Sequence, residues 1–462
     1  MKKLILFPIL LLILNVFSQD IEISGNALGS KNQLVRLISL EDQFSSLEKT
    51  IATARTGENG EFHLKSKIAG LRMALVALDL KKAEIFLQSG DNVRLQFLED
   101  TSSENKSIYE QQPLQYEFLS PNALNTNIQN FNIVYNNFLL RNFIKLSRSR
   151  NNKLIIDFKH ETDSMFGNFD NGFFKDYRRY KIASLELASR KKNEIKLINE
   201  YFLNNKILYD NIEYSSLFKE VFNNYLLSGK SGIDYAKLVE TVNYSSGYKQ
   251  FDQLISQGNI QLANDDRLRE LIGIIGLAKF YNTRGFNRNN VIKLLRQVGR
   301  NSSFGEHRII AGNYIAKLQK LVYGSPCPRF SLKSQEGKII SDDSLKGKFT
   351  LLMFMKENSR ICISHISMID EIRQMFNSRL RIVSLVKGDT RKINNYMYER
   401  DYEWPIARID DILLLEKFNI KVFPSYVLLN PDGSIASATA PMPDENLANF
   451  INALMKKWEA GN

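Results

Sequence analysis

The side chains that could do chemistry here are few. The 462 residues include two cysteines, Cys327 and Cys362, and four histidines. Two thiols allow one bridge at most, or two lone thiols, so a fold stapled by disulfides is excluded. Cys362 and His365 are three residues apart, a spacing that shares one face of a helix. A metal centre needs three or four such ligands. His63, His160 and His307 lie far away in sequence, so no metal is expected. No Gly-rich phosphate loop, no Ser, His and Asp in a hydrolase order and no basic-aromatic stripe stands out. No cofactor is expected either. What remains is thiol chemistry: attack by a thiolate, exchange with a disulfide, or a thiol kept inert by burial.

The elements that must position Cys362 can be read around it. Residues 350–355 are a run of mostly large apolar side chains, which suits a buried central strand. Seven residues after Met355, Cys362 opens a helical pattern, with Ile366, Ile369, Ile372, Met375 and Phe376 on one face. A second buried strand follows at 380–386, then a helix at 392–400 and a break at Trp404-Pro405. A short helix at 413–418 precedes a strand led by Pro424, at 423–429. Asn430-Pro431-Asp432-Gly433 is a hairpin turn, 435–438 the return strand, and 444–458 a last amphipathic helix.

That order, strand, helix, strand, helix, then Pro-led strand, hairpin and helix, resembles thioredoxin. Gly324-x-Pro326-x-Pro328-x-Phe330-Ser331-Leu332, with Gly337-Lys338 and residues 345–348 (Leu-Lys-Gly-Lys), is similar to the entry of TlpA-like envelope proteins. Residues 418–424 (Phe-Asn-Ile-Lys-Val-Phe-Pro), followed by the strand and Asp432-Gly433, match the family's closing motif. The resemblance implies a thioredoxin-like α/β domain over residues 323–462. In that family a Cys-x-x-Cys sits at a helix N-terminus, where unpaired N–H groups and the helix dipole favour the thiolate. The first cysteine attacks a substrate disulfide and the second resolves the mixed disulfide.

Matching Phe354 to the family's strand Phe puts Ser359 at the attacking position and Cys362 at the resolving one, in Ser359-Arg360-Ile361-Cys362. A serine hydroxyl has no accessible anion near neutral pH and cannot form a disulfide, so the two-cysteine cycle is blocked. Related domains often carry Pro where Arg360-Ile361 stands, Glu where His365 stands, and, in thioredoxin itself, an acid where Met353 stands. Pro424 matches the family's cis-proline, which offers backbone groups to extended peptides. Phe423, Arg360 and Ile361 would then line a retained binding surface, and Cys327 is a second thiol with which Cys362 could pair.

The rest of the chain supplies context. Lys2 and Lys3, an apolar stretch at 4–14 and a plausible cut ahead of Gln19 form the pattern of a secretory signal peptide over 1–18. Residues 19–100 hold seven short β-rich runs, at 21–24, 34–40, 50–54, 61–65, 73–78, 83–88 and 92–98, with turns at 57–60 and 89–91. They predict an antiparallel β-sandwich. Residues 101–120 read as a polar linker opening a helical middle region, 101–322, of seven to ten helices. The formal net charge is +12, or +10 without Lys2 and Lys3, and residues 101–320 carry 31 Lys and Arg against 21 Asp and Glu. The basicity therefore sits in the helical middle.

The expectation is a multidomain α+β chain: β-sandwich, all-α middle, thioredoxin-like domain. It is exported to the periplasm or cell envelope, with no membrane span once the signal is cut. Two functions compete. One is a redox-impaired protein that binds a peptide or protein partner near Pro424. The other is a thiol-disulfide oxidoreductase working through Cys362, with or without Cys327. Nucleic acid is not an expected partner of an exported chain.

Overall fold

The computed structural model describes residues 20–98, 114–148, 152–189, 194–244, 246–258 and 260–461. The expected signal peptide and most of the expected linker lie outside the described residues. Seven strands match the seven β-rich runs: β1 (Asp20–Ala27), β2 (Leu34–Leu40), β3 (Glu48–Arg55), β4 (Glu61–Lys67), β5 (Leu71–Leu78), β6 (Lys81–Gln88) and β7 (Asn92–Phe97). An eighth, β8 (Tyr116–Phe118), falls where the sequence reads as linker. Two four-stranded sheets result, in the orders β4-β1-β7-β8 and β3-β2-β5-β6. β1 runs parallel to β7, with Ile23 opposite Val93, so the first sheet is mixed rather than antiparallel. β1 sits between β4 and β7, so a first strand joined to its neighbours by long connections is free to pair in either sense.

The sheets pack face to face through Ile21, Ile23, Leu37, Leu64, Ile85 and Leu95. The second sheet is buried on its other face too. Leu40, Met73 and Phe86 pack there against Phe131, Phe174 and Tyr177 of the helices. This is why β2 is buried along nearly its whole length instead of alternating.

The middle region holds eleven α-helices among the described residues, more than the seven to ten expected, two of them single turns. They are α1 (Ala123–Arg148), α2 (Asn152–Phe166), α3 (Gly172–Ala188), α4 (Glu194–Leu197), α5 (Ile212–Phe222), α6 (Tyr235–Tyr244), α7 (Tyr248–Gly258), α8 (Ile260–Ala263), α9 (Asp266–Phe280), α10 (Arg288–Asn301) and α11 (Gly305–Leu318). The abundant asparagines have a local role. Asn171, Asn211 and Asn287 cap α3, α5 and α10, each side-chain oxygen accepting first-turn N–H groups that have no helical partner. Asn125 docks α1 on the sheet: its side chain accepts from the Phe86 N–H at 2.8 Å and donates to the Phe86 carbonyl at 2.7 Å.

The remaining elements are β9 (Ser331–Lys333), β10 (Ile339–Ser341), β11 (Phe349–Lys356), α12 (Arg360–Phe376), β12 (Leu380–Lys387), α13 (Arg391–Tyr398), β13 (Ile406–Ile409), α14 (Leu413–Lys417), β14 (Ser425–Leu429), β15 (Ile435–Ala440) and α15 (Leu447–Gly461). Five strands form one sheet in the order β13-β12-β11-β14-β15. β11 is parallel to β12 and antiparallel to β14. The β9–β10 hairpin and the edge strand β13 give little periodic signal because each is three or four residues long. Met375, placed by spacing on the buried face of α12, is 67% exposed.

Candidate functional site

β11 sets the geometry. Its side chains alternate: Phe349, Leu351, Met353 and Met355 enter the core under α12 and α15, while Leu352 and Phe354 enter the core on the α14 side. After Lys356 the chain turns through Asn358, at φ 57°, into α12. Ser359 is the N-cap residue. Its φ of −85° and ψ of 112° are extended, and its hydroxyl accepts the Cys362 N–H at 3.3 Å. Serine is a preferred residue for this task.

Cys362 lies one turn inside α12 and has no exposed surface. Burial pushes its thiol pKa up. The contact with the Ser359 hydroxyl, a backbone hydrogen bond at Lys356 and the Lys356 charge act the other way without cancelling it. Desolvation of the buried sulfur is the largest influence on the pKa. Cys362 is a free, buried thiol.

The register of β14 brings Pro424 to the same end of the sheet. Ser425 pairs with Phe354, so Pro424 lies just past that pair, where β11 hands over to the loop before α12. The Phe423–Pro424 bond is cis. Pro424 is buried, Phe423 and Ile361 are half-buried, and Arg360 is exposed. Phe423 packs against the core that contains Cys362. Ser359, Cys362, Phe423 and Pro424 are thus gathered at one end of the sheet, with Arg360 and Ile361 on the opening turn of α12.

Cys327 is not part of this group. It contributes to the core on the opposite face of the sheet, with Leu352 and Phe354. Its segment runs beside the β14–β15 hairpin, Gly324 and Cys327 donating to the carbonyls of Ile435 and Gly433. The thiol is free, buried and pushed up to about 12 by burial. Cys362 and Cys327 thus lie in the cores on opposite faces of the sheet, as two separate thiols.

Two residues belong to the site that sequence reasoning did not assign to it. His365 is buried, and its Nδ1 shares a 2.8 Å hydrogen bond with the Tyr426 hydroxyl. Burial lowers the His365 pKa, and burial also raises that of Tyr426, with the nearby Cys362 adding to the effect. The signal was present: His365 shares a helix face with Cys362, and Tyr426 follows Pro424 by two residues. Among the described residues no three His, Cys, Asp or Glu side chains converge as a metal site.

No protein-family model matches the chain. The thiol-disulfide oxidoreductase ResA of Bacillus subtilis (strain 168) is 24% identical over 134 residues, 28% of this chain and 75% of that protein. Part of this chain is therefore similar to the thioredoxin-fold thiol-disulfide oxidoreductases. Among solved structures, a thiol-disulfide oxidoreductase from Bacteroides vulgatus shares 21% identity, covering 29% of this chain and 99% of its own, at a TM-score of 0.27. A secreted Mycobacterium tuberculosis disulfide oxidoreductase homologous to E. coli DsbE shares 16%, covering 27% and 95%, at a TM-score of 0.23.

Proposed function

We propose that residues 323–461 form a TlpA-like thioredoxin-fold domain with a degenerate Ser-x-x-Cys site. In this reading an exported protein of the cell envelope has lost disulfide exchange and keeps a peptide- or protein-binding surface. The preceding parts are a β-module ending at β8 and a helical body ending at α11. The observation that carries the reading is at residue 359. An oxygen caps α12 where the exchange cycle needs a thiolate, and the sulfur one turn further in is buried with its pKa raised. A disulfide in an incoming substrate meets a hydroxyl that cannot attack it.

Binding is the function left to this end of the sheet. Exposed Arg360, half-buried Ile361 and Phe423, and the backbone beside Pro424 form an uneven surface. β14 is paired on both sides, so an extended peptide would lie with its main chain against the backbone that leads into it at Phe423-Pro424. No helix among the described residues is long and apolar enough to cross a membrane.

The test is reduction of insulin disulfides by the purified protein and by Ser359→Cys. The native chain is expected to give no turnover above background, with both thiols reacting with a chromogenic disulfide only after unfolding. Ser359→Cys is expected to form a disulfide with Cys362 and to gain reductase activity, because Ser359 caps the helix one turn before Cys362, its hydroxyl already bonded to the Cys362 N–H. Turnover by the native chain would sink the redox-impaired reading. Failure of the variant to form a bridge would sink the assignment of residue 359.

A further inference from the structure

Helix α1 is apolar on two opposite sides. Ile128, Phe131 and Tyr135, helped by Val134, Phe138, Leu139 and Leu146, pack into the core against the second β-sheet and α3. On the far side, Ile133, Leu140 and Ile144 are 58%, 80% and 61% exposed. Their spacings of seven and four residues keep them within about 20° of one line along the helix. Phe143, 70% exposed, widens the stripe, and Ile156 on α2 is 43% exposed. A solvated helix face has no use for this, and a contiguous exposed apolar surface marks a contact site.

The charge around the stripe says what kind of contact. Between Glu117 and Asp157 the sequence carries five bases, Arg141, Lys145, Arg148, Arg150 and Lys153, and no acid. Arg141 and Lys145 are exposed on α1, and Lys153 is exposed near Ile156 on α2. On α1 the apolar stripe is flanked by bases with no acid on the helix, the first acid in sequence being exposed Asp157 beside Ile156, and such a face complements an anionic lipid surface. The apolar side chains sink to the acyl boundary and the bases meet lipid phosphates. No helix among the described residues can span a bilayer, so the contact lies on the surface. We propose that the exposed face of α1, with the start of α2, is a docking surface for anionic lipid headgroups. This is independent of the thiol site and goes beyond the binding role proposed there.

The experiment is flotation of the full chain, as processed after export, with vesicles of phosphatidylglycerol and phosphatidylethanolamine, or of phosphatidylcholine alone. The expected result is binding to the anionic vesicles that weakens with added salt, and little binding to the neutral ones. Leu140→Ser, Phe143→Ser and Ile144→Ser combined should reduce binding at least tenfold. Arg141→Gln, Lys145→Gln and Lys153→Gln should weaken it by roughly fivefold per base and flatten the salt dependence. These side chains are exposed, so the variants should keep the native circular dichroism and melting curve. No binding to anionic vesicles, equal binding to neutral ones, or full binding by the folded serine variant would overturn the proposal. So would a native dimer that the serine variant converts to monomer without any lipid binding, since the stripe would then cover a second copy.

Discussion

At the scale of single residues, the site turns on what burial does to three ionisable side chains. The Cys362 and Tyr426 pKa values are raised and that of His365 is lowered, each chiefly by desolvation. All three are thus held neutral in the core near neutral pH. His365 makes this measurable. Its ordinary value is 6.5, and the folded value is lower. Between the two, the unfolded chain binds more protons than the folded one, so stability rises with pH across that window. The contribution is complete above about pH 6.5 and is lost progressively as the pH falls toward the lower folded value. His365→Gln should flatten the fall of the urea midpoint between pH 7 and 5. An unchanged slope in the variant would mean that other groups set the acid sensitivity.

At the scale of elements, the β2–β3 connection holds the sheets and helices together. Phe44, 1% exposed, leaves its own sheet and enters the helical core, with edge contacts to Tyr209, Tyr214 and Phe218 at centroid distances of 6.0, 6.3 and 5.4 Å. The loop backbone around it is satisfied from the helices. Ser215 and Lys219 donate to the Gln43 carbonyl, Tyr314 to that of Phe44 and Lys317 to that of Ser45. Burial lowers the Lys219 pKa to about 8, as expected of an ammonium drawn into this junction. Phe44→Ala should cost about 3–5 kcal/mol, the usual range for removing a buried phenyl ring. Urea denaturation measures it, and a cost below about 1 kcal/mol would show that the loop does not anchor the helices.

At the scale of the whole molecule, the β-module also grips the carboxy-terminal sheet. Arg36 on β2, with no exposed surface, pairs with Glu416 of α14, and its Nη2 donates to the Asp79 carbonyl at 2.8 Å. Lys387 at the end of β12 pairs with the Asp79 carboxylate. Leu34 and Leu80 pack against the core on the α14 side. The face of the sheet that holds Cys327 is thus covered by the β-module, and the Ser359–Pro424 end belongs to the other core. Loss of one partner from a buried pair strands the other charge. Arg36→Met combined with Lys387→Met should therefore split one calorimetric unfolding transition into two, with the carboxy-terminal part melting first. A single transition with an unchanged Tm in the double variant would show that the interface is held by its apolar contacts alone.

Much of this protein is written locally. The seven amino-terminal strands, the buried run of β11, the helix opening before Cys362 and the hairpin after β14 follow from periodicity and turn residues, which act over a few neighbours. Ser359 as a cap is equally local, since the next residues begin a helix and a hydroxyl is suited to that place. Tertiary structure decided what depends on partners distant in sequence. Whether β1 runs parallel to β7 depends on which edge it meets. Whether Cys327 can reach Cys362 depends on which face of a five-stranded sheet each one occupies. His365 became a buried hydrogen-bonding residue only because β14 brought Tyr426 to it. The second apolar face of α1 is plain in the sequence spacing, but its exposure was settled by the core claiming the opposite side.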